Sequence, residues 1–114
     1  MDLSFWKYKE GVYLDNQKVY ETLSNEKFVE GVEMLLLPQI LADIEKLFVD
    51  WEKLSDCDYE SDNGAFVITT TEQFVRFDCS GMRQEDINKL IDVLDKYGCP
   101  LYDPQISVRF DGAG

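Results

Sequence analysis

The sequence predicts a two-layer α+β domain in which helices pack on one face of a mainly antiparallel sheet, with the element order β-α-α-β-β-β-α-β. Two segments have apolar residues at helical spacing, the stretch 66–79 is rich in β-branched and aromatic residues, and turn signals separate its strands. The 114 residues contain no internal repeat and no linker, so we expect a single domain covering 1–114.

The first predicted strand opens the chain. Leu3, Phe5 and the alternation Trp6-Lys-Tyr-Lys9 predict extended backbone, with Phe5 on one face and Trp6 and Tyr8 on the other. The rings of Trp6 and Tyr8 are expected in the core or half-buried in the sheet rather than in a binding site. Gly11 ends the strand.

Two helices are predicted next. Asp15 is suited to cap a helix of about eight residues, which ends at Ser24-Asn25. Gly31 and Pro38 interrupt the following helical pattern, and Pro38 fits best in the first turn of a new helix, where its missing N–H costs nothing. The apolar positions of this second helix form one stripe that is expected in the core: Leu37, Ile40, Leu41, Ile44, Leu47 and Phe48.

The middle of the chain predicts three consecutive antiparallel strands. The first strand covers 51–59, and Trp51 is expected to pack against the second helix. The turn Asp62-Asn63-Gly64 leads to the strand 66–71, and a tight connection leads to its hairpin partner, 74–79.

The C-terminal part predicts a helix and a last strand. The helix runs from about 83 to 97, is amphipathic, and is stopped by Gly98. Pro104 interrupts the final strand, 101–110, which is therefore expected at an edge or a bend of the sheet. The last residues, 112–114, are expected to fray.

Composition excludes several functions. The net charge of −12, from 11 basic and 23 acidic side chains, repels nucleic acids and anionic membranes, so neither is expected as a partner. The absence of histidine excludes Ser-His-Asp and Cys-His catalysis, and no phosphate-binding loop is present, so no enzyme is expected. The chain has no signal-peptide pattern and no apolar run long enough to cross a bilayer, which predicts a cytoplasmic protein.

The three cysteines, Cys57, Cys79 and Cys99, are far apart in the sequence. An odd number of cysteines without CxxC spacing argues against a disulfide framework and against a zinc site. We expect reduced thiols that are largely buried, since free cysteine commonly behaves as a small core residue.

The candidate binding site is the stretch Ser55-Asp-Cys-Asp-Tyr-Glu-Ser-Asp-Asn-Gly64, which has a carboxylate at every second position from 56 to 62. In one continuous strand these carboxylates would share a face, and Tyr59 would be the aromatic anchor among them. The alternative is a solvated strand face whose charges protect an edge from aggregation. We call the predicted partner-binding surface the acidic ridge; it comprises Asp50, Glu52, Asp56, Asp58, Tyr59, Glu60 and Asp62.

A metal site is not predicted at the acidic ridge. A calcium loop of the EF-hand type needs glycine at its sixth position and glutamate at its twelfth. Counting from either Asp56 or Asp58 places neither residue where it is needed. No cofactor is predicted either.

The segment Lys96-Tyr-Gly-Cys-Pro-Leu-Tyr-Asp-Pro-Gln105 resembles a C-terminal pattern of small acidic bacterial immunity-type proteins, in which a helix ends in glycine, a short strand follows, and an aromatic-Asp-Pro-Gln segment closes the domain. The aromatic opening Phe5-Trp6-Lys7-Tyr8 is similar to the same class. The resemblance implies a cytoplasmic protein that binds and neutralises a toxin domain, for example a nuclease.

The expected function is therefore a non-enzymatic immunity or inhibitor protein that binds a basic protein partner, because an acidic surface can occupy a groove meant for phosphate. The alternative is a housekeeping or small-molecule-binding α+β domain without a toxin partner.

Overall fold

The computed structural model describes residues 1–111, so the fraying predicted for 112–114 lies outside the described part of the chain. The helices are α1 (Asn16–Ser24), α2 (Leu37–Leu47) and α3 (Gln84–Lys96). The strands are β1 (Asp2–Phe5), β2 (Glu52–Ser55), β3 (Asp58–Ser61), β4 (Gly64–Thr71), β5 (Phe74–Ser80), β6 (Leu101–Asp103) and β7 (Val108–Arg109).

The described strands form one antiparallel sheet in the order β2-β3-β4-β5-β1-β6-β7. The α+β class and the predicted order of elements are confirmed. Two predicted strands are each divided in two. The predicted strand 51–59 corresponds to the hairpin of β2 and β3, and the predicted strand 101–110 corresponds to β6 and β7. Pro104 lies in the turn before β7, which is an edge strand as the proline predicts.

One face of the sheet, which we call the inner face, carries the main hydrophobic core. Cross-strand register places Phe5 opposite Val75, and Phe77 opposite Ile68, all with side chains on this face. Helices α2 and α3 cover it and contribute the buried residues Ile40, Ile44, Ile87, Leu90, Val93 and Leu94.

Helix α1 packs on the opposite face, which corrects the expectation that every helix lies on one face. The ring of Tyr20 lies 5.6 Å from that of Tyr102 and 6.5 Å from that of Phe74. Phe74 and Tyr102 lie on the opposite face of their strands from the inner-face residues, so their side chains need a second element to cover them. The second buried cluster comprises Trp6, Val19, Leu23, Val32, Phe74 and Tyr102.

Local signals predicted the helix starts correctly. The side chain of Asp15 accepts a hydrogen bond from the Lys18 backbone N–H at 3.2 Å, which confirms the N-cap of α1. Pro38 lies in the first turn of α2. Beyond the end of α2, the buried ring of Phe48 meets that of Trp51 edge-on at 5.1 Å, so Trp51 packs near this helix as predicted.

The cysteines are free, and two of the three are buried as predicted. Burial raises the pKa of the Cys79 and Cys99 thiols to about 11, because the charged thiolate would lose its hydration. Cys57 is instead exposed in the turn between β2 and β3.

Candidate functional site

The acidic ridge folds as a hairpin rather than as one strand, which is a correction to the prediction. The chain turns at Asp56-Cys57, between β2 and β3. The Ser55 hydroxyl accepts a hydrogen bond from the Cys57 N–H at 3.2 Å and donates one to Asp58 at 3.0 Å. Serine stabilises a turn in this way, so the Ser55-Asp56 pair is the signal that could have predicted the reversal.

The hairpin brings three carboxylates of the acidic ridge onto one face of the sheet. Glu52 lies directly opposite Glu60, and Asp58 is two residues from Glu60 on the same strand. Because side chains alternate along a strand, all three point away from the inner face, onto what we call the open face. Like charges opposite each other destabilise a sheet, so this arrangement is unfavourable for folding alone.

The other three carboxylates of the acidic ridge lie outside the strands. Asp56 is in the turn before β3, with an oxygen 3.9 Å from the Lys53 ammonium, and Asp62 is in the turn after β3. Asp50 precedes β2. All three are exposed, so they surround the hairpin instead of extending a single row.

Tyr59 does not belong to the exposed surface, which corrects its prediction as an aromatic anchor. It is only 4 % exposed, and its ring stacks on that of Phe66 at 4.9 Å with an angle of 11°. Its strand position places it on the inner face, between the outward-facing Asp58 and Glu60. Burial also raises the pKa of the Tyr59 phenol, which therefore stays neutral.

Two further carboxylates share the open face and were missed in the sequence. Register places Asp58 opposite Val67, Val67 opposite Asp78, and Asp78 opposite Asp2. This row crosses four strands. No local pattern joins residues so distant in the sequence, and only the alternation of Asp78 with buried neighbours indicates an outward side chain.

Asp2 and Asp78 share an ion pair with one arginine. The Arg76 Nε lies 3.2 Å from Asp78 and 3.9 Å from Asp2. Asp2 also accepts hydrogen bonds from the Tyr20 hydroxyl at 2.7 Å and from Ser4 at 2.8 Å. These contacts attach α1 to the sheet, which gives this half of the open face a structural role.

The outward-facing carboxylates of β2 and β3 lack such an ion pair, although Asp58 accepts the hydrogen bond from Ser55. Among residues 1–111, no lysine or arginine nitrogen lies within 4 Å of Glu52, Asp58 or Glu60. Helix α1 packs over the other end of this face and leaves the hairpin uncovered, with Val67 beside it 43 % exposed. The uncompensated negative charge of the open face is therefore concentrated on β2 and β3.

Within 1–111, no three cysteine, aspartate or glutamate side chains come together in a way that could hold a metal ion. Within the same range, none of the helices has both the length and the apolar character needed to cross a membrane.

Comparison with known proteins gives no family for this chain. No protein-family model matches the sequence, and no curated protein is significantly similar to it.

Proposed function

We propose that this protein is a non-enzymatic binding module that docks a basic protein partner on the hairpin of β2 and β3, as an immunity protein or inhibitor of a cationic toxin would. One observation carries the proposal: among residues 1–111, Glu52, Asp58 and Glu60 face outward together with no lysine or arginine nitrogen within 4 Å. Asp2 and Asp78, on the same face, instead share an ion pair with Arg76. The protein thus compensates some of its outward charges and leaves this group uncompensated.

The charge of the whole chain supports the same partner chemistry. A net charge of −12 attracts a basic protein over distances of about a Debye length, roughly 8 Å at physiological salt, and accelerates encounter. At contact, lysine and arginine side chains of the partner would relieve the repulsion between Glu52 and Glu60. The partner would therefore bind tightly at low salt and more weakly as salt rises.

The shape of the site changes the recognition expected from the sequence. With Tyr59 in the core, the hairpin supplies charge and the neighbouring strand β4 supplies an exposed Val67, but there is no aromatic hot spot at Tyr59. Specificity would arise from the positions of the carboxylates across the two strands, which a partner must match with its own basic groups.

The test is a comparison of three tagged proteins as bait in lysate of the native cell, at low and at physiological salt. The double variant Asp58→Lys with Glu60→Lys reverses two charges on the hairpin. The matched control is Asp92→Lys with Asp95→Lys, which makes the same change in net charge. Both residues are exposed on α3, the helix that covers the inner face, so they lie on the other side of the sheet from the open face.

We expect wild type and control to retain the same basic protein, identified by mass spectrometry, and the hairpin variant to lose it. Exposed charge pairs contribute about 0.2–1 kcal/mol each, and a reversal replaces attraction by repulsion. Reversing two charges should therefore weaken binding by roughly 1–3 kcal/mol, or about 5-fold to 150-fold. Equal retention by the hairpin variant and the control would contradict the proposal and leave the hairpin as a solvated, edge-protecting surface.

A further inference from the structure

A cavity lies far from the hairpin, at the opposite edge of the sheet. It has a volume of about 550 Å³ and forms where the segment after β1, the loop after α3 and strand β7 meet. Its lining includes three basic residues, Lys7, Lys9 and Arg109, and the aromatic residues Tyr8, Tyr13 and Phe110.

The charge around this cavity differs from that of the rest of the molecule. The chain has 11 basic against 23 acidic residues, whereas the cavity has three basic residues against three acidic ones, Glu10, Asp95 and Asp111. Among residues 1–111, neither Lys7 nor Lys9 has a carboxylate oxygen within 4 Å. Two cations thus remain available in a strongly acidic protein.

Arg109 is fixed in the cavity wall by aromatic packing. Its guanidinium carbon lies 4.6 Å from the centre of the Tyr8 ring and 5.3 Å from that of Trp6, and Nη2 donates a hydrogen bond to the Trp6 carbonyl at 2.8 Å. Its Nε is buried and has no hydrogen-bond partner. The guanidinium is therefore held in place with part of its hydrogen-bonding capacity unused.

Lys7 is positioned by the glycine after α3. A Cβ atom at Gly98 would lie 3.2 Å from the Lys7 Cδ and Cε atoms and 3.3 Å from Nζ, so the aliphatic part of the lysine passes closely over this backbone. Gly98 has φ +80°, a conformation that other residues rarely adopt. Glycine therefore provides both the turn and the space in which the lysine lies along the cavity.

We infer that this cavity binds a small organic anion that has one anionic group, a phosphate or a carboxylate, on a flat apolar body. The anionic group would meet Lys7, Lys9 and Arg109, which present ammonium and guanidinium donors from two segments of the chain. The flat body would contact Tyr13 and Phe110, which are 84 % and 54 % exposed. The carboxylates of the lining disfavour a second anionic group. This site is independent of the docking function proposed for the hairpin.

The experiment titrates the protein with phenyl phosphate, benzoate and inorganic phosphate, and follows backbone amide shifts by NMR. We expect saturable binding of phenyl phosphate or benzoate, with shifts around residues 7–13 and 98–100, at least about fivefold tighter than inorganic phosphate because the ring adds contacts. The organic ligand that binds more tightly identifies the anionic group.

Two double variants complete the test. Lys7→Gln with Lys9→Gln should weaken binding by about tenfold or more, because two charge-assisted contacts are lost. Lys27→Gln with Lys46→Gln makes the same charge change outside the cavity and should alter binding by less than about twofold. The inference is overturned if no organic ligand saturates below about 10 mM, if inorganic phosphate binds equally well, or if both variants weaken binding equally.

Discussion

Replacing Tyr59 tests its position in the core rather than on the docking surface. The side chain is 4 % exposed and stacked on Phe66. Burying roughly 150 Å² at about 25 cal/mol per Å² gives about 4 kcal/mol, which is an upper figure because unfolded chains already bury some surface. We expect Tyr59→Ala to lower the free energy of unfolding by about 3 kcal/mol and the melting temperature by roughly 10–15 °C.

Tyr59→Phe is the matched control for this experiment. It keeps the ring and removes only the hydroxyl, so the free energy of unfolding should change by less than about 1 kcal/mol. Urea denaturation of both variants measures the two effects, and partner capture with Tyr59→Phe should equal wild type. A loss below about 1 kcal/mol for Tyr59→Ala, or reduced capture by folded Tyr59→Phe, would refute the placement of this residue in the core.

Two further predictions concern titration and thiol chemistry. Burial and the hydrogen bond to Asp2 raise the pKa of Tyr20 to about 12, above the value near 10 in the unfolded chain, so its contribution to stability is complete below pH 10 and lost as pH rises toward 12. Chemical denaturation between pH 9 and 12 should show a smaller loss for Tyr20→Phe than for wild type, and an equal loss would contradict this coupling. A thiol reagent at neutral pH should label Cys57 rapidly and the buried Cys79 and Cys99 only after unfolding; rapid reaction of all three would disprove their burial.

The helices could be predicted from the sequence because their signals are local. Asp15 caps the nearest turn, and Pro38 determines where α2 can begin. The side of the sheet on which α1 packs is not a local property. It depends on Trp6, Phe74 and Tyr102 meeting on the second face, which follows only from the pairing of β1 with both β5 and β6.

The candidate site was predicted in part for the same reason. The alternation of Asp58 and Glu60 on either side of Tyr59 is visible in the sequence, whereas the burial of Tyr59 is not. The reversal at Ser55 that places Glu52 opposite Glu60 depends on a turn stabilised by one hydroxyl. The contacts of Arg76 with Asp2 and Asp78 depend on sheet register, so the distinction between carboxylates with and without an ion pair needed the folded structure.

The position of β1 inside the sheet, between β5 and β6, also affects the order in which the chain can assemble. Strands β2 to β5 are consecutive, so short turns allow them to pair soon after they are made. Strand β1 pairs with residues far along the chain: Leu3 lies opposite Phe77, and Ser4 lies opposite Tyr102. Closing such long loops slows folding, so the N-terminal segment is expected to insert late, between two strands made long after it. During synthesis, Leu3 and Phe5 would remain without their partner strands until most of the domain has left the ribosome. In that period the exposed apolar segment could bind a chaperone or pair with the wrong strand.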